Sequence, residues 1–166
     1  RARRAEARSV ERLLNPTSVA VIGAGRDRDG LGHQVFRNLL AHDFNGPVYP
    51  VNPLGTPVAS VPSYPSVLDI GPPVDLAVVA VPAVEVLAVI DECARKRVHG
   101  LVVMSAGVGG AGSEVIERAR SQGMRVIGPE SLGVVNTDPA VGLHASVATR
   151  PVVPGRVGFM TQSGTL

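Results

Sequence analysis

The sequence predicts an α/β fold: a doubly wound, mainly parallel sheet with helices on both faces. Short β-branched runs alternate with amphipathic stretches between residues 18 and 130. Such alternation needs crossover connections, and crossovers give parallel pairing. The run "VDLAVVAVP" (74–82) is apolar throughout, as expected of a strand covered on both faces. The chain of 166 residues is 45% apolar with 19 Gly, 14 Pro and 3% aromatic residues, which makes a Val/Ala/Leu core joined by tight turns.

In chain order, "RARRAEARSVERLL" has the composition of a solvated helix, and residues 1–12 read as a basic linker. "SVAVIGAG" (18–25) is a buried strand running into a glycine turn, followed by a helix "HQVFRNLLAH" (33–42). "GPVYPVNP" (46–53) is a second strand closed by proline, and "SYPSVLDI" (63–70) has room for one helical turn. The strand 74–82 leads into a helix "AVEVLAVIDECARKRV" (83–98), with Val86, Leu87, Ile90, Cys93 and Ala94 on one face. Then follow a strand "HGLVVMSAG" (99–107), a helix "SEVIERARSQG" (113–123) ended by Gly123, and a strand "MRVIGPE" (124–130). "RVGFMTQSG" (156–164) opens a further β-element. The expected division is a central domain over 13–154 and the start of another over 155–166.

The formal charge of +2 is unevenly placed. Arg1, Arg3, Arg4, Arg8 and Arg12 lie in the first twelve positions, and beyond them the chain holds eleven basic and twelve acidic residues. The body is therefore close to neutral, and the basic head reads as linker rather than as a nucleic-acid-binding tail. Low aromatic content also argues against stacking on single-stranded nucleic acid. The lone Cys93 forms no internal disulfide and reads as an inert core thiol. The longest apolar region, 75–90, is interrupted by Pro82 and Glu85 and is too short to span a bilayer. With no signal peptide visible, the expected setting is cytoplasmic and free of membrane.

In doubly wound sheets, ligands bind beyond the carboxyl ends of the strands. Those ends are Gly23–Gly25, Asn52–Pro53, Val81–Pro82, Ser105–Gly107 and Gly128–Ser131, all small, proline-bearing or polar. A nicotinamide cofactor fails two requirements. The G-x-G-x-x-G fingerprint needs a third glycine at position 28, which is Arg28, and no acid stands between Phe44 and Leu68 to hold the ribose hydroxyls. A phosphate remains the expected ligand, because a glycine-rich turn feeding a helix presents unpaired N–H groups to an anion. Arg26 and Arg28 either add contacts to that anion or solvate an exposed loop against Asp27 and Asp29.

Seven segments in register carry a resemblance to a known family: 13–40, 46–53, "YPSVLDI", "VDLAVVAVPA", "GLVVMSAG", "GMRVIGPESLGVVNT" and "PGRVGFMTQSGTL". From about residue 12 to the end, the chain resembles the CoA-binding domain of NDP-forming acyl-CoA synthetases. The same Rossmann-like domain opens the α subunit of succinyl-CoA synthetase. The resemblance implies coenzyme A as ligand. Gly23, Ala24, Gly25, Arg26, Gly30 and Gly32 would hold its phosphates, with Asn52 and Pro53 along the nucleotide. Val81, Pro82, Ser105, Ala106 and Gly107 would border the ligand, with Glu130 and Ser131 near the pantetheine arm. It also implies ligase and ATP-grasp domains as partners, with residues 155–166 opening the ligase domain. The sequence departs from the family pattern at Gly25 and Gly30, where Ser is common. It departs again at Leu54, where succinyl-CoA synthetases carry Lys, and at Glu130, where Asn is usual.

No complete catalytic centre is visible. His33, His42, His99 and His144 share no motif and have no partners at metal-ligand spacing. Ser163 lacks the G-x-S-x-G elbow of a nucleophile. The chain is expected to bind without turnover. Two other readings stand beside the ligase: a regulatory CoA sensor fused to a protein lysine acetyltransferase, and an NAD- or adenine-nucleotide sensor.

Overall fold

From the N-terminus the chain forms α1 (Ala2–Leu14), β1 (Val19–Ile22), α2 (Leu31–Ala41), β2 (Val48–Val51), β3 (Leu76–Val79) and α3 (Val86–Lys96). There follow β4 (Gly100–Val103), α4 (Gly112–Ser121), β5 (Arg125–Ile127), β6 (Gly133–Asn136) and β7 (Leu143–Ser146). This computed structural model describes residues 2–161, with side chains from residue 6 onward, so Arg1 and Ser163 lie outside the described residues. Short 3₁₀ turns at Val67–Asp69, Ala83–Glu85 and Gly109–Ala111 connect the larger elements.

The main sheet has strand order β2-β1-β3-β4-β5, every pair parallel. Side chains alternate between two cores, as a period of two requires. Ala20, Ile22, Ala77, Val79, Leu101 and Val103 point to one face, where α3 and α4 supply Val86, Ile90, Cys93, Val115 and Ala119. Val19, Val21, Leu76, Val78 and Val102 point to the other, against Leu13 of α1, Val35, Phe36 and Leu39 of α2, and Leu143 and Ala145 of β7. Burial on both sides explains the continuous apolar runs of β1 and β3. Pro50 sits in β2, the edge strand, where a missing N–H breaks no central ladder.

The amino ends of three strands are tied by one carboxylate. Thr17 donates its amide and its hydroxyl to Asp75 Oδ2 at 2.8 and 2.6 Å, and His99 Nδ1 lies 3.2 Å from Asp75 Oδ1. Partial burial raises the Asp75 pKa, but the Thr17 and His99 contacts outweigh it and hold the carboxyl below its usual range.

The α/β expectation holds in class, order and pairing. Three details differ. Strand ladders stop short of the apolar runs: β1 ends at Ile22 and β3 at Val79, because turn geometry takes over where the connecting loops begin. Residues 133–146 form an antiparallel hairpin, β6–β7, packed against α2, where no strands are expected from the sequence. Residues 156–161 contain no strand; Val157, Phe159 and Met160 are 82–91% exposed, and no neighbouring strand offers them a ladder.

Candidate functional site

The carboxyl ends of β1, β2 and β3 meet at Gly23. Its N–H donates to Val51 O at 2.9 Å, and its φ of +97° is one only glycine adopts readily. A Cβ there would collide with the carbonyl of Ala80, just past β3. This junction is the topological switch point of the sheet, where the crossover from β1 runs outward to β2 and that from β3 runs the other way to β4. Ala24 is fully buried beneath the turn.

Helix α2 begins directly on this turn. A Cβ on Gly32 would overlap the Gly23 carbonyl, so only glycine lets the first helical turn approach so closely. The intervening loop is held by Gly30 N–H donating to Asp27 O (3.2 Å), Asp29 N–H to Asp27 Oδ1 (3.1 Å), and a His33 Nδ1 contact with Gly25 O (2.8 Å). Gly30 occupies the N-cap and brings no capping side chain. The first-turn amides of α2 and the positive end of its dipole are thus left for an external anion. Gly25 has open space where a side chain would be, and Arg26 is exposed.

The remaining expected residues lie along the same edge. Asn52 is buried, and its amide closes its own loop: Nδ2 donates to Thr56 O (3.1 Å) and Ser63 Oγ (3.0 Å), and Oδ1 accepts from Thr56 N–H (3.3 Å). It shapes the β2 exit, leaving Pro53 and Leu54 exposed at the rim. Val81 is half-buried and Pro82 exposed. Ser105 is buried with its hydroxyl toward Val79 O at 3.5 Å, while Ala106 and Gly107 are exposed.

Beyond the cis Gly128–Pro129 bond, Glu130 takes the left-handed conformation with φ +57°. Its Oε1 accepts the N–H of Gly107 at 3.1 Å, laying a carboxylate across the exits of β4 and β5. Ser131 N–H donates to Val103 O (3.1 Å), and its hydroxyl accepts from Gly133 N–H (3.0 Å). The fold thus gathers the expected residues into two groups, one around Gly23 and one around Gly107 and Glu130. Val79 links them through Ser105 and the Met104 N–H at 2.9 Å.

Beside the glycine turn runs an open cleft of about 840 Å³, lined by Arg26, Arg28, His33, Gln34, Arg37 and Asn38. Pro57, Ala59 and Ser60, with residues 147–149, form its other walls. Sequence reasoning missed Arg37 and Asn38. The available signal is helical spacing: 30, 33, 34, 37 and 38 share one face of α2, which continues from the glycine turn. Asn38 secures the far wall by donating to Ser146 O (2.8 Å) and Ala148 O (3.0 Å).

Among the described residues, no group of three His, Cys, Asp or Glu side chains is placed to hold a metal, and no helix is long and apolar enough to cross a membrane. Burial, with Glu92 nearby, pushes the Cys93 thiol up to about 12, which leaves it protonated and unreactive.

Residues 17–137 match the model of a family described as the CoA binding domain. The chain is 40% identical over 162 residues to acetate–CoA ligase (ADP-forming) I of Archaeoglobus fulgidus, covering 93% of this chain and 23% of that protein. It is also 40% identical over 169 residues to the α subunit of acetate–CoA ligase (ADP-forming) I of Pyrococcus furiosus, covering 95% and 36%. The solved acetyl-coenzyme A synthetase 1 of Ca. Korarchaeum cryptofilum, in complex with phosphate and ADP, matches with a TM-score of 0.87 at 42% identity. That match covers 93% of this chain and 34% of the other. The chain spans about a quarter to a third of the length of these relatives.

Proposed function

Because the chain belongs to the CoA binding domain family, homologous to ADP-forming acetyl-CoA synthetases and their α subunits, we propose that its row of strand ends binds CoA or acyl-CoA on behalf of such an enzyme. The observation that carries this reading is the uncapped amino end of α2 seated on the Gly23 turn at the switch point. A phosphate there meets free amides and the positive helix dipole. Gly23, Ala24, Gly25, Arg26, Gly30 and Gly32 surround the diphosphate, and the loop from Asn52 and Pro53 flanks the nucleotide. Val81, Pro82, Ser105, Ala106 and Gly107 border the ligand, and the pantetheine arm runs toward Glu130 and Ser131.

No residue of this domain is assigned a bond-making role. The domain presents the thiol end of CoA to chemistry performed elsewhere, in ligase and ATP-grasp domains of the same chain or of a partner subunit. The complete enzyme interconverts acyl-CoA, nucleoside diphosphate and phosphate with free acid, CoA and nucleoside triphosphate. Its setting is the cytoplasm, and residues 155–166 open the ligase domain. Neither the acetyltransferase fusion nor the nucleotide sensor gains support from the relatives named above.

Titration calorimetry with CoA, acetyl-CoA, NAD and ATP tests the reading. CoA and acetyl-CoA are expected to bind and NAD to give no heat; tight NAD binding with no response to CoA would sink it.

A further inference from the structure

Three guanidiniums line the cleft beside the glycine turn, and among the described residues none has an ion-pair partner. Arg26 and Arg28 come from the turn and Arg37 from the exposed face of α2. Arg118, by contrast, is held by Asp91 at 3.0 Å and Glu114 at 3.8 Å. Asp27, the nearest acid in sequence to both turn arginines, accepts the Asp29 amide with Oδ1. Asp27 and Asp29 alternate with the turn arginines but neither lines the cleft, so the cleft itself presents positive charge and favours an anion between the three guanidiniums.

That anion has two separated parts. The first-turn amides of α2 take one phosphate group. Arg37 lies six residues beyond Leu31, about 9 Å along the axis at 1.5 Å per residue, with its side chain directed back toward the amino end. It therefore addresses a second group about one sugar ring away. The facing wall is built to stay in place: Ala59 and Ser60 hold positive φ (48° and 67°) in a two-residue turn closed by reciprocal Val58–Val61 bonds of 2.9 Å. Their small side chains leave width for a nucleoside.

Resting on the CoA reading above, we propose that the Arg26–Arg28–Arg37 cleft holds the ribose 3′-phosphate of CoA, and that Arg37 is the residue that distinguishes CoA from dephospho-CoA. The 5′-diphosphate and the 3′-phosphate leave the same ribose, which gives the spacing between helix amides and Arg37.

Calorimetric titration of the chain with CoA and with 3′-dephospho-CoA tests this. The native chain should bind CoA at least about tenfold more tightly, as charge-assisted bonds to one phosphate allow. Arg37→Gln should bring the ratio toward one by weakening CoA alone, and Arg37→Lys should restore part of it. The ratio is internal to each variant, so partial unfolding does not imitate the effect. Equal affinities for the native chain overturn the inference while leaving CoA binding intact. So does a ratio that survives Arg37→Gln, whether or not the triple change Arg26→Gln, Arg28→Gln, Arg37→Gln removes it. Failure of both ligands to bind overturns the CoA reading itself, and this inference with it.

Discussion

His42 stacks on His144, with ring centroids 4.1 Å apart and planes inclined by 23°. One ring stands at the carboxyl end of α2 and the other on β7, so the pair joins the helix to the hairpin. His42 Nδ1 bonds to Asn38 O at 2.9 Å, while the buried His144 Nε2 has no hydrogen-bond partner among the described residues. Asp43 and Asp138 line the adjoining cavity.

Burial first, and the neighbouring His42 second, lower the pKa of His144. A base lowered in the folded state takes up protons more readily when unfolded. Stability is therefore full above the ordinary histidine value of about 6.5 and declines as pH falls below it. Thermal melts should show a lower Tm at pH 5.5 than at 7.5. His144→Phe should flatten the difference, and an unchanged slope would remove the pair as its cause.

Gly25 and Gly32 separate binding from folding. Gly32→Ala drives a Cβ into the Gly23 carbonyl and should cost about 1–3 kcal/mol in denaturant unfolding. A Cβ on Gly25 meets no atom within 4 Å, so Gly25→Ala should leave the unfolding midpoint in place. If the Gly25 backbone approaches a phosphate, the same change should weaken CoA at least about tenfold, in the range of a lost charge-assisted contact. Undiminished affinity would move the phosphates away from this turn.

Asp75 lies at the opposite end of the sheet from the Gly23 turn. Its carboxyl is lowered in the folded state, so its stabilisation is present above the ordinary Asp value of about 3.9 and is lost as pH falls through the lowered one. Asp75→Ala leaves the Thr17 amide and hydroxyl without their acceptor and should cost about 1–3 kcal/mol. CoA affinity, measured well below the new melting temperature, should not change.

Glu130→Asn replaces a charged residue held at positive φ by one that tolerates that region. It also withdraws a negative charge from the β4 and β5 exits. CoA should bind about fivefold more tightly, the effect of removing about 1 kcal/mol of repulsion in an aqueous setting. Unfolding should not become easier. Weaker CoA binding by the variant would show that the carboxylate assists the ligand.

The sheet is legible in the sequence because β1 and β3 are sealed on two sides and write their burial as unbroken apolar runs. The Gly23 turn is legible for a related reason: two backbones meet there and admit no side chain. The β6–β7 hairpin is not, since its strands are four residues each and mix Gly133, Asn136, His144 and Ser146 with apolar neighbours. Its support comes from Asn38 on α2, more than a hundred positions earlier. Arg37 is readable as an exposed helical residue, but its meaning depends on a loop from β2 that the sequence does not place opposite it.

The pairing of the main sheet is flush: Ile22 stands level with Val51 and Val79, and Val79 with Val103. The five exits therefore form a ruler, its marks set by the interstrand distance of about 4.8 Å, or about 19 Å from end to end. A mononucleotide reaches only part of that scale. An extended molecule with a nucleotide at one end and a reactive group at the other can use all of it. Lengthening a single exit loop would change what is felt at one mark without shifting the others, so length and chemistry are selected by separate parts of the chain.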